Sequence, residues 1–131
     1  MKAEIRKKLN EILRDNKKWP IILEGVDADS FKNATILPAI VKSEELSIAL
    51  QLPVWIKALE ERKKEKTNVL VIDGMDVISA EKQKKFKQIL DQKAINGYKF
   101  PENVQIVLTI GEGNRDKISS LIQSLCIYFK V

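Results

Sequence analysis

The stretch Asn68-Val69-Leu70-Val71-Ile72-Asp73 constrains the fold of this chain more than any other: it is an unbroken apolar run that ends on an acid. A strand with one wet face alternates apolar and polar residues, whereas an unbroken run demands cover on both faces, as in a parallel sheet. A second stretch that reads as a buried strand, Val104-Gln105-Ile106-Val107-Leu108-Thr109-Ile110, comes about thirty residues later. Between them Ser79 is placed to cap a helix through about Lys93, with Phe86, Ile89 and Leu90 on its inner side. Strands alternating with helices predict an α/β fold: three layers, a short and mainly parallel sheet, helices on both faces. The length of 131 residues, 44% of them hydrophobic, suits a single core and a single domain over residues 1–131.

The flanking segments fit that plan. Ile5, Leu9, Ile12 and Leu13 recur at helical spacing, and the pattern stops near Asp15-Asn16. Ile21-Ile22-Leu23 reads as a short buried strand closed by Gly25, and Asp27 to Ser30 offer caps for a helical turn through Phe31 and Lys32. Between Ile36 and Leu52 two apolar runs flank Lys42-Ser43-Glu44-Glu45, which favours a hairpin with Pro38 on an edge strand. A helix from Ser43 to Leu50 is the alternative. Pro53 opens a helix with Trp55, Ile56 and Leu59 on one side, and Asn96-Gly97 marks a tight hairpin. Past Gly111 and Gly113 a helix is expected around Lys117 to Ser124, then a last strand over Cys126 to Phe129.

Composition excludes several chemistries. There is no histidine, so the commonest general base and metal ligand are both missing, and no metal site is expected. Cys126 is the single cysteine and reads as a small core residue. No apolar run is long enough to span a bilayer, and the charged Met1 to Arg6 start does not resemble a signal peptide, so the expectation is a cytoplasmic protein. The net charge of +5 mixes with acids along the chain. Lys82, Lys84, Lys85 and Lys87 form the densest basic run and offer a weak nucleic-acid face; a solvated helix face accounts for them better, and no aromatic residue beside them offers a stacking platform.

An apolar strand ending in an acid is the Walker B pattern, in which the sheet holds a carboxylate beside magnesium and phosphate. An aspartate that merely caps the next loop gives the same spacing. The order of the segments after Asp73 narrows the choice: Asp76, the Ser79 helix, then Ala94-Ile95-Asn96-Gly97-Tyr98-Lys99-Phe100-Pro101-Glu102-Asn103 and the strand to Ile110. This arrangement resembles AAA+ ATPases of the MoxR-like branch, with their hairpin of Gly-Tyr-x-Leu-Pro-x-Asn type before a sensor strand. The likeness extends more loosely over Leu23 to Pro38, Pro53 to Leu59 and Ser119 to Val131. It implies a P-loop NTPase-like core in which Asp73, Asp76, Thr109 and Asn114 would meet Mg-ATP if nucleotide is bound.

The departures from that family carry the functional expectation. A P-loop reads Gly-x-x-x-x-Gly-Lys-Ser/Thr, and the chain contains none. The nearest stretch, Gly25 to Asn33, lacks the second glycine, displaces its lysine to Lys32 and carries Asp27 and Asp29. Against the family the chain starts at the helix after the P-loop, so the resemblance implies that the first strand and the loop are missing and that the last strand closes on the Thr109 strand or leaves a gap there. Gly74 stands where the family has a glutamate after the Walker B aspartate, no arginine finger precedes the last strand, and no helical lid is expected beyond Val131. The expectation is therefore a degenerate, non-catalytic AAA+-like module that binds another protein, an AAA+ subunit or a second copy. The alternatives are a residual ATP-binding domain, a fragment of a longer ATPase, and a weak nucleic-acid binder.

Overall fold

The computed structural model describes residues 2–46 and 52–131. Five strands make one sheet in the order β2-β3-β6-β1-β7: β1 (Ile21–Glu24), β2 (Thr35–Pro38), β3 (Asn68–Asp73), β6 (Val104–Ile110) and β7 (Ile127–Lys130). Every neighbouring pair in it is parallel. The apolar runs divide between two faces as the strand period requires. Ile22, Leu70, Ile72, Ile106 and Leu108 point into one cluster with Trp55, Ile56, Leu59, Phe86, Ile89 and Ile122. Ile21, Leu23, Val69, Val71 and Val107 point into the other, against Leu9 and Ile12.

The first cluster is covered by α2 (Val54–Glu61), α3 (Ala80–Gln83), α4 (Lys87–Gln92) and α5 (Ser120–Leu125), the second by α1 (Lys2–Asp15). With helices on both faces of a parallel sheet, the three-layer α/β architecture is the one the strand patterns predict. A helix as short as α1 is marginal alone in water. Burying Leu9 and Ile12, at about 1.5–3 kcal/mol for each side chain, holds it to the sheet.

The Asn96-Gly97 signal is realised as a hairpin between β4 (Ala94–Ile95) and β5 (Tyr98–Lys99), both turn residues taking the left-handed conformation that this turn demands. The hairpin and the residues after it hold α2 at both ends and the turn that follows it. Tyr98 donates to Glu60, Phe100 packs edge-on against Trp55 at 5.7 Å, and the Asn103 amide donates to the carbonyls of Arg62 and Glu65 at 2.9 and 3.0 Å.

Four expectations are corrected. The last strand does not close on the Thr109 strand, nor is there a gap: β1 lies between β6 and β7, in the place where the resemblance implied a missing strand. The hairpin expected between Ile36 and Leu52 is corrected only as far as Leu46. β2 is an edge strand parallel to β3, as Pro38 allows, and Ser43–Leu46 is a tight 3₁₀ turn; residues 47–51 lie outside the described residues. The Ser79 helix is capped as expected, but it tightens to 3₁₀ geometry at Lys84–Phe86, where Phe86 is wholly buried. The helix placed near Lys117 to Ser124 begins instead at Ser120, capped by the Ser119 hydroxyl, after a separate turn at Arg115–Lys117.

Candidate functional site

Open α/β sheets bind ligands beyond the C-terminal ends of their strands, where neighbouring strands send the chain in opposite directions. Here that point lies between β1 and β6. From β1 the chain travels to β2 at one edge, and from β6 it passes β1 to β7 at the other. The Gly25 N–H donates to the Ile110 carbonyl at 3.0 Å and the Gly74 N–H to the Thr109 carbonyl at 3.1 Å, so the loops leaving the three central strands are joined.

All four residues that the sequence nominated for nucleotide meet on this rim. The buried Thr109 hydroxyl donates to Asp73 Oδ1 at 2.7 Å. Asp76 Oδ2 accepts from the Asn114 amide at 2.7 Å and from the Gly111 N–H at 3.0 Å. A Cβ at Gly111 would come within 2.9 Å of Asn114 Nδ2, so a larger residue there would have to push that amide aside. The carboxylates and their polar neighbours thus bond in pairs, β3 loop to β6 loop.

Sequence reasoning missed Glu24. It repeats the signature that drew attention to Asp73, an apolar run ending on an acid, and that signature was the signal available. Its side chain is buried; Oε1 accepts from the Tyr128 hydroxyl, Oε2 from the Gly113 N–H at 3.1 Å, and Lys130 Nζ lies 3.8 Å away. The Tyr128 hydrogen bond and then the Gly113 N–H hold the Glu24 carboxyl below its ordinary value, against the opposing effect of burial. The same bond to Glu24 pushes the Tyr128 phenol up. Arg115 covers the Tyr128 ring at 3.9 Å.

The fit to a nucleotide fails at the loop after β1. Gly25 takes φ +87, and a Cβ there would meet the Val131 carbonyl at 3.2 Å, so the chain turns sharply against its own last strand. Ala28–Ser30 then make a single 3₁₀ turn, closed by the Ser30 N–H on the Asp27 carbonyl at 3.0 Å. A phosphate cradle needs a run of free N–H groups leading into a helix, and a lysine. This turn presents Asp27 and Asp29, beside Arg6. The stretch Gly25 to Ser30 stands after the strand beside β6, where a P-loop would stand, so the expectation that set it apart from that position is corrected; its chemistry nonetheless repels phosphate.

Of the four lysines of the basic run, Lys85 is drawn inward and the other three are exposed. Lys85 Nζ donates to the Val41 carbonyl at 2.5 Å, and burial, then the charge of Lys82, pushes its ammonium below the ordinary value. Lys84 pairs with Glu81 at 3.0 Å, while Lys82 and Lys87 stand in solvent.

No protein-family model and no curated protein matches the chain. Solved structures do. Two variants of RuvB from Thermotoga maritima superpose with TM-scores of 0.57 and 0.56 at 14% and 15% identity, covering 100% and 98% of this chain. A DNA polymerase III gamma subunit-related protein from the same organism superposes at 0.53 with 14% identity over 96% of it. The chain spans 45–46% of the length of those structures. At such identities the likeness shows the fold alone, a mainly parallel five-stranded α/β sheet with helices on both faces. No described helix is long and apolar enough to cross a membrane.

Proposed function

We propose that this chain is a non-catalytic AAA+-like module that works by binding another protein. The observation that carries the reading is the loop after β1: one tight turn bearing Asp27 and Asp29, at the switch point where phosphate would need N–H donors and a lysine. The rest of the rim supports it, since Asp73, Asp76 and Glu24 each bond to their own neighbours. The same end of the sheet carries Ile40 and Val77, each 69% exposed and lining one groove with Lys42 and Lys82. Exposed aliphatic residues rimmed by charge suit a protein surface. The partner can be another AAA+ subunit or a second copy of the chain. The finer affiliation with the MoxR-like branch rests on Gly97 to Asn103 and their resemblance to that branch's hairpin.

Cross-linking in the native cell followed by mass spectrometry tests the reading. Wild type is expected to capture a defined protein through this rim, and Ile40→Asp with Val77→Asp to lose it while keeping the wild-type circular dichroism. Capture that survives both substitutions contradicts it.

One observation favours a second reading: Asp73, Asp76, Thr109 and Asn114 lie together, as residual magnesium–nucleotide binding would require. Titration with Mg-ATP separates the two.

A further inference from the structure

Trp19 is 60% exposed, at the end of the sheet opposite the rim just described, immediately before β1. Two adjoining concavities of about 440 and 450 Å³ meet there and share Lys17 and Glu102. One runs beneath α1 past Arg14 and Lys66 to the first residues of β3 and β6; the other runs past Lys18, Trp19 and Lys93. Together they are lined by five cations (Arg14, Lys17, Lys18, Lys66, Lys93) and two carboxylates, Asp91 and Glu102. Arg14 also pairs with Asp15 at 3.1 Å, but both side chains stand in solvent, where such a pair holds weakly.

The cations have an ordinary partial explanation. α1, α2 and α4 all end at this side of the sheet, and positive charge there opposes the negative ends of the helices. That does not explain an indole left in water among lysines, since its burial would be favourable. We propose that this groove binds single-stranded nucleic acid, with phosphates along the lysines and an unpaired base stacked on Trp19. A charged groove that tracks the backbone and an aromatic face that takes any base are the two parts such sites combine. A duplex keeps its bases stacked on each other and offers the indole nothing. The site is at the opposite end of the strands from the protein-binding rim and stands independently of it.

Fluorescence anisotropy of labelled oligothymidylate and oligouridylate against the whole chain tests the proposal. Saturable binding is expected, with a log–log salt slope near −2, at about −0.7 for each of roughly three phosphates. Trp19→Ala, at an exposed site that the fold does not need, should weaken binding about tenfold, within the range for one stacked base. Lys17→Glu with Lys18→Glu should abolish it, and Lys82→Glu on the opposite rim should leave it unchanged. The proposal is overturned by an absence of binding at low salt or by wild-type affinity in Trp19→Ala. It is also overturned if polyglutamate or phosphatidylserine vesicles bind as tightly as the oligonucleotides.

Discussion

The Thr109 hydroxyl donates to the Asp73 carboxylate at 2.7 Å, tying β6 to β3 at the end of the sheet where a ligand of this fold would lie. Thr109 is buried, so its hydroxyl depends on that acceptor. Thr109→Val and Asp73→Ala should each cost about 1 kcal/mol in urea unfolding. The double variant should cost little more than the larger single one, because both remove one bond. Fully additive losses would mean that the two residues act separately.

Glu24 and Tyr128 form one interaction seen from two titrations. The Glu24 value is depressed, so its contribution is complete above the ordinary 4.5 and drains as pH falls through the native value. The Tyr128 value is raised, so its contribution is complete below 10.0 and is lost as pH rises through the native value. The stability difference between wild type and Tyr128→Phe should therefore be flat across neutral pH and shrink at both extremes. Urea midpoints measured from about pH 3 to about pH 11 check this, and a constant difference contradicts it.

Gln83 is the hidden post of the helical layer. Its wholly buried amide donates to the carbonyls of Met75, Ile78 and Lys117, and its oxygen accepts from the Ser119 N–H at 2.8 Å. Gln83→Leu strands those groups in the core and should cost about 3 kcal/mol by urea unfolding. A loss below about 1 kcal/mol would show that the groups find other partners.

Burial pushes the Cys126 thiol up to about 12. At pH 8 the native protein should react slowly with a disulfide reagent and quickly once unfolded, because the thiolate is the reactive form. Equal rates in the two states would contradict the burial.

The sheet was legible where long, mostly apolar runs forced it: β3 and β6 begin and end close to where their residues predict. The hairpin at Asn96-Gly97 was legible for another reason, since few residue pairs accept two left-handed conformations in succession. Strand order was not legible. Ile21 to Glu24 is too short to announce that it sits inside the sheet, and only the parallel pairings on both its sides reveal that. Gln83 was invisible because a glutamine amid lysines reads as surface until its four partners are seen. At the site, Asp73, Asp76, Thr109 and Asn114 were nominated through the family resemblance, and the structure places them in two hydrogen-bonded pairs, whereas Glu24 carries the same run-then-acid pattern as Asp73 without a family motif to mark it.

Calorimetric titration of the chain with Mg-ATP tests the central claim most directly. If the Gly25–Ser30 turn, with Asp27 and Asp29, cannot cradle phosphate, no saturable heat will appear at millimolar nucleotide. Binding in the low micromolar range, lost in Asp73→Ala, would contradict the account and return the chain to the nucleotide-binding ATPases.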